Sequence, residues 1–256
     1  MLPFSSFGET VSLRRHMASS ALTVRLSESG EAQALLLRPG DAKWLLVLAH
    51  GAGAGMDHPF MEDLAGALAG CGVATLRYQF PYMQQRRKRP DPPAVLTAAV
   101  RSALAAASEA APGLPLLAGG KSLGGRMTSM AIADERYCAS PAIPSLRGLV
   151  FVGFPLHPAG RPGMERGEHL ARVRIPMLFL QGTRDSLADL ALVRRLCGTL
   201  APLATLHVVD GADHSFHVGK RSGRTDGDVL FELARTVRSW ADALGQNRAD
   251  ADHAWG

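Results

Sequence analysis

From residue 44 onward the chain repeats one arrangement: a short, almost wholly apolar run, a few small or polar residues, then a longer stretch of helix formers. The runs are WLLVLAH, VATLRYQF, LPLLAGG, GLVFVGF, PMLFLQG and TLHVVDGADH. A strand with one wet face alternates apolar and polar residues, whereas a strand covered on both faces reads as a continuous apolar run. Strands of the second kind, separated by crossover helices, predict a mostly parallel central sheet flanked by helices. Two earlier runs, ALTVRL and AQALLL, are separated only by SESG and predict an antiparallel hairpin at one edge.

The helices carry their own start signals. Asp91 is placed to cap a helix opening at Pro92, and Ser186 with Asp189 resembles a capping pair ahead of Leu190. In the last helix Leu230, Leu233, Val237, Trp240 and Leu244 recur at intervals of three and four, which predicts a core-facing stripe. Asp226 and Asp228 near its start suit the positive end of the helix dipole. The longest irregular stretch, residues 154 to 176, is rich in Gly, Pro and Arg and is too short for an independent domain. It predicts a small cap or a pocket-edge loop, so the expected fold has a small cap or none. One domain is expected over residues 21–246, with an N-terminal tail over 1–20 and a C-terminal tail over 247–256. Met17 offers an alternative start.

Composition removes several classes of function. With 256 residues and 46% hydrophobic content the chain has ample material for a core, yet no run approaches the roughly 18 apolar residues that suggest a membrane span. Membrane insertion is not expected. The arginine pair in SLRRHMASSALTV is followed by too short and too polar a run for an export signal, which leaves the cytoplasm as the expected compartment. Cys71, Cys138 and Cys197 are widely spaced and predict neither a disulfide framework nor a metal site. The net charge of +5 raises the question of nucleic acid, but much of the excess sits in QQRRKRP without interleaved aromatics or a recognisable binding motif. That segment reads as a solvated loop, and no nucleic-acid partner is expected.

Gly120, Ser122 and Gly124 form a G-x-S-x-G pattern. Among 27 glycines the pattern alone is weak, but here it follows an apolar run and precedes a helical segment, LGGRMTSMAIADE. A serine in such a strand-to-helix turn is exposed on a strained backbone, and the helix N-terminus points positive charge at it. A hydroxyl needs a base to remove its proton during attack, and His214 follows the last predicted strand, on the sheet edge where Ser122 emerges. Asp185 closes the penultimate strand and reaches the same edge, where a carboxylate would orient the imidazole. Asp213 and Asp210 compete for the acid role and His217 and His207 for the base role; His207 falls inside a strand pattern. An oxyanion would need two backbone donors. The amide of Leu123 supplies one, and the turn in HGAGAGMDHPF supplies the other, at Ala52 with Gly53 as neighbour. His50 is expected to organise that turn, and HGAGAG lacks the acidic partner or lysine of a phosphate-binding loop. Tyr78, Tyr82 and His157 follow strands and are candidates either for lining a pocket or for ordinary packing. Lys121 is a neighbour without assigned chemistry.

The segments HGAGAGMDHPFM, LRYQFPYM, GGKSLGGRM, FPLHPAGRP, LFLQGTRD and GADHSF together resemble the α/β-hydrolase superfamily. More narrowly, they resemble a dienelactone-hydrolase-like bacterial family related to eukaryotic testis-expressed and chromatin-complex hydrolase-like proteins. The resemblance spans about residues 22 to 244 and implies an α/β-hydrolase fold with Ser122, Asp185 and His214 in the triad positions. Dienelactone hydrolases use a cysteine nucleophile, so serine here departs from that substrate. The expected activity is a serine hydrolase acting on a small-molecule ester or thioester through an acyl-enzyme, with no metal or organic cofactor. The alternative is a non-catalytic binding or scaffold module on the same fold.

Overall fold

The computed structural model describes residues 19–26, 30–134 and 146–253, with side chains described to residue 246. The start at Met17, nearly all of the expected N-terminal tail, the first three residues of SESG and Cys138 lie outside the described residues. The sheet opens with the expected hairpin, in which β1 (Ser20–Leu26) pairs antiparallel with β2 (Gly30–Leu37). The remaining strands are β3 (Trp44–Ala49), β4 (Val73–Tyr78), β5 (Leu116–Lys121), β6 (Leu146–Val152), β7 (Met177–Gly182) and β8 (Ala204–Val209). Their order across the sheet is β1-β2-β4-β3-β5-β6-β7-β8, with every pair from β4 to β8 parallel. The hairpin joins through an antiparallel β2–β4 pairing.

Alternate residues of each central strand face opposite layers, as a period of two requires. In β3, Leu45, Val47 and Ala49 enter a core beneath α3 (Pro93–Ala110), α4 (Leu123–Ile132) and α5 (Leu190–Thr199). Trp44, Leu46 and Leu48 enter a second core beneath α1 (Pro59–Gly70) and α6 (Asp226–His253). A single turn of helix, α2 (Pro81–Gln84), follows β4. This is the expected sheet covered on both faces, and no helix of the described residues is long and apolar enough to cross a membrane.

Several local expectations are corrected. Asp91 does not cap α3: Pro92 occupies the N-cap and Pro93 opens the helix, while the Asp91 carboxylate takes Arg87 Nη2 at 2.6 Å. Asp189 alone caps α5, accepting from the amides of Ala191 and Leu192, and Ser186 has no part in it. The buried stripe of α6 is Val229, Leu233, Val237 and Ala241, with Leu230 and Trp240 at its margin. Trp240 and Leu244 instead close over Gly148, where a β-carbon would collide with the indole. The helix also continues to His253, beyond the expected boundary near 246, because no Gly or Pro interrupts it after Gly245. The stretch 154 to 176 forms no lid. Its 3-10 segment, Glu165–Arg172, packs on α4, where His169 Nε2 lies 2.8 Å from the Ser129 hydroxyl.

Candidate active site

β3 pairs with β4 on one side and β5 on the other, so the chain leaves it in opposite directions to its neighbours. In an open parallel sheet, the crevice beyond such a switch point collects the loops at the carboxyl ends of the strands. Ser122 stands there between β5 and α4, with φ 50° and ψ −116°, a left-handed backbone that a non-glycine residue adopts only when its surroundings impose it. The imposing surroundings are close. A β-carbon at Gly120 or Gly124 would run into the carbonyl of Ala49, so only glycine lets α4 start this near β3. The Ser122 amide donates to Val152 O at 3.1 Å and its carbonyl accepts from Arg126 N, fixing both sides of the turn.

Three side chains from three loops meet in one line. Ser122 Oγ lies 2.9 Å from His214 Nε2, and His214 Nδ1 lies 2.7 Å from Asp185 Oδ2. The Asp185 side chain is fully enclosed, and the His214 side chain is 22% exposed. Burying a carboxylate costs free energy unless its oxygens are hydrogen-bonded, and here they are. Gln181 Nε2 donates to Oδ2 at 2.5 Å and Leu187 N to Oδ1 at 2.8 Å. Gln181 is itself buried, and its Oε1 accepts from Phe154 N.

The competing residues are occupied elsewhere. The Asp213 carboxylate caps its own turn, accepting from Ser215 N and His217 N. Asp210 accepts from Thr183 Oγ1 at 3.3 Å. His217 pairs with Asp226 on the surface, and His207 pairs with Glu232.

The loop after β3 lies against the serine, with the Gly51 α-carbon positioned so that an added β-carbon would touch Ser122 Cβ. His50 is fully buried at its root. One ring nitrogen is 2.8 Å from Gly51 O, the other accepts from Phe80 N at 3.0 Å, and burial pushes its pKa down to about 4. The neutral ring thereby ties this loop to the segment after β4, as expected of a loop-organising residue. Gln79 and Arg77 add to it by holding the amide and carbonyl of Met56. The amides of Ala52 and Leu123 have no acceptor among the described residues. Gly53 is exposed in the same turn at φ 75°.

Two expected pocket residues do not line one. Tyr78 ends β4 inside the core, its ring packed on Phe80, and burial pushes its phenol far up. His157 is buried, with Nδ1 donating to Pro158 O and Nε2 accepting from Asp189 N, so it fastens the loop after β6 to the start of α5. Both are packing residues: the Tyr78 hydroxyl is enclosed in the core without a hydrogen-bond partner among the described residues, and both ring nitrogens of His157 are engaged. Three contributors escaped the sequence reading: Gln181 within an apolar run, His157 as a fastener, and Lys121. Lys121 Nζ donates to the backbone carbonyl of His214 at 2.6 Å. Its only advance signal was its place beside Ser122.

Among the described residues no cluster of three or more His, Cys, Asp or Glu side chains could hold a metal ion. A groove of about 740 Å³ between β8 and α6 is lined by Phe231, Glu232 and Arg235 and includes none of the three aligned side chains.

A mostly parallel eight-stranded sheet with a strained serine beyond its switch point defines an α/β-hydrolase fold. Residues 42–242 match the family model of the alpha/beta hydrolase domain, and the chain belongs to that family of hydrolytic enzymes. Solved structures agree on the fold. A dienelactone hydrolase from Anabaena variabilis superposes with a TM-score of 0.66 at 21% identity, over 87% of this chain and 95% of that one. A lid-less α/β serine hydrolase from Xanthomonas campestris gives 0.66 at 22% identity, with the same two coverages. Est1E from Butyrivibrio proteoclasticus, with ferulic acid bound, gives 0.61 at 14% identity over 83% and 97%.

Proposed function

We propose that the protein hydrolyses a small-molecule carboxylic ester or thioester through an acyl-enzyme on Ser122. The observation that carries this reading is the unbroken line from Ser122 Oγ through His214 to the enclosed Asp185 carboxylate. With Asp185 accepting from Nδ1–H, the lone pair of His214 Nε2 points at the serine, the tautomer a general base needs. Ser122 Oγ attacks the carbonyl carbon as its proton passes to Nε2. The negative charge that develops on the carbonyl oxygen is met by the amides of Leu123 and Ala52 and by the N-terminus of α4. Nε2–H then protonates the departing alcohol or thiol, and the ester or thioester bond breaks. Water enters, gives a proton to the same nitrogen and attacks the acyl-serine, which releases the carboxylic acid and restores the hydroxyl. Every step uses this chain's own groups and water.

Ser122→Ala removes the nucleophile without enlarging the side chain. Turnover of an activated ester is expected to fall by on the order of 10⁴ to 10⁶. Labelling by a fluorophosphonate probe should vanish with it. A folded wild-type protein that takes no label and cleaves no member of an acyl-ester and thioester panel would refute the reading.

A further inference from the structure

Lys121 stands out because nothing in the triad chemistry calls for it, yet it is built into the floor of the site. It is the last residue of β5, directly before Ser122, and its side chain crosses the crevice floor to the loop after β8. There Nζ donates to the carbonyl of His214 itself. The amine also sits 5.8 Å from the centroids of both Phe60 and Phe216, rings that stack on each other at 6.1 Å. A cation over aromatic faces is held by their negative quadrupole. Phe216 is buried and has φ 62°, a strained backbone for an aromatic residue two positions beyond His214. Gly153 completes the enclosure: its α-carbon faces the amine so closely that a β-carbon would come within 3.3 Å of Nζ and 3.5 Å of His214 Nδ1.

From this geometry we propose that Lys121 is the positioning residue of the site, its charged amine tying down the loop that carries His214. The proposal rests on the reading of Ser122, His214 and Asp185 as the reacting groups. The hydrogen bond, the two rings and the strained turn fix the backbone from which His214 projects, so the imidazole reaches Ser122 Oγ without searching. The charge adds to this. It strengthens both the hydrogen bond to the His214 carbonyl and the attraction of the two rings, so the loop is held most firmly while the amine is protonated. Two carboxylates favour the charged amine, Asp185 beyond β7 and Asp213 beyond β8. Burial outweighs them and lowers the Lys121 amine to about 8, so the charge fades on the alkaline side of neutrality. Above that point a neutral amine still donates to the carbonyl, and only the electrostatic part of its action is lost.

That separation makes the role measurable. Lys121→Met keeps an apolar stem of similar length but removes both donor and charge, whereas Lys121→Arg keeps both. Fluorophosphonate labelling rates and kcat/KM on p-nitrophenyl acetate would be followed across pH, with folding checked by circular dichroism. At about pH 6.5, K121M is expected to react about 10- to 100-fold more slowly than wild type. KM should change far less than kcat, because the Lys121 amine is already engaged by the His214 carbonyl. Toward about pH 9 the gap should narrow as the wild-type amine loses its proton, a change that a purely structural lysine would not produce. K121R should stay closer to wild type than K121M at the lower pH. A folded K121M as fast as wild type, or slower by the same factor at every pH, overturns the proposal. If K121M does not fold, the wild-type labelling profile decides, since it must show a component near pH 8, and a flat profile through that region overturns the proposal. Absence of labelling in wild type itself would instead strike at Ser122, so the two failures are distinguishable.

Discussion

At the scale of single residues, the site is a set of polar atoms that each have a fixed partner. Gln181 shows how tightly that is drawn. Its amide nitrogen donates to Asp185 and its oxygen accepts from Phe154 N, so one buried side chain satisfies both the enclosed carboxylate and the loop after β6. Gln181→Leu preserves volume and strands the Phe154 amide, and leaving a buried donor unsatisfied costs about 1–3 kcal/mol. Urea unfolding should show a loss of that size, together with a fall in kcat greater than any rise in KM. Unchanged stability would mean that Phe154 N finds another acceptor. The meeting of Ser122, Asp185 and His214 was legible in the sequence because each follows an apolar run that ends at the same sheet edge. Gln181 was not, because a lone polar residue inside such a run gives no hint of what it faces. Tyr78 misled for the converse reason: an aromatic at a strand end has the same sequence signature whether it lines a crevice or fills the core.

At the scale of elements, the same substitution should have opposite signs in two helices. Gly66 lies exposed within α1 with nothing within 4 Å of where a β-carbon would be built. Gly66→Ala is therefore expected to stabilise by about 0.5–1 kcal/mol, the helical cost of glycine relative to alanine. In Gly124→Ala the added carbon would meet the carbonyls of Ala49 and His50, main-chain atoms that cannot rotate away. That change is expected to destabilise by about 1–3 kcal/mol and to displace the turn carrying Ser122, with loss of probe labelling. Paired urea melts of the two variants check it, and a destabilised G66A or a stabilised G124A would contradict the packing described. Element existence was readable from the apolar runs. Helix starts were readable only to within a residue or two, since Asp91, Ser186 and Asp189 all carry capping chemistry, Pro92 and Pro93 both suit a first turn, and tertiary contacts decide where each helix begins. The stripe of α6 moved for a similar reason: Trp240 is apolar, but the space that fits it is over Gly148 at the margin of the core.

At the scale of the whole molecule, alternation of strands and helices does not say on which side each new strand is laid, so the order β4-β3-β5 was not legible although the parallel sheet was. Nor did composition reveal that residues 154 to 176 would be fastened down by a buried histidine instead of forming a lid. That fastening makes the fold sensitive to acid. His50 and His169 are held neutral in the native state, each with a pKa pushed down to about 4: His50 chiefly by burial, His169 by burial and by the cations of Arg126 and Arg172. In the unfolded chain a histidine titrates near about 6.5. Between these values the unfolded state binds more protons than the native one, so stability falls as pH drops through the window and levels off below it. Two such residues give a slope of up to about 2.7 kcal/mol per pH unit. His169→Gln retains an amide to meet Ser129 and removes one titrating ring. Urea midpoints from about pH 7 to about pH 4.5 should therefore fall less steeply for H169Q, by roughly 1.4 kcal/mol per pH unit once multiplied by the m-value. An equal slope in the two proteins would show that His169 takes up its proton without unfolding, and would place the acid sensitivity elsewhere.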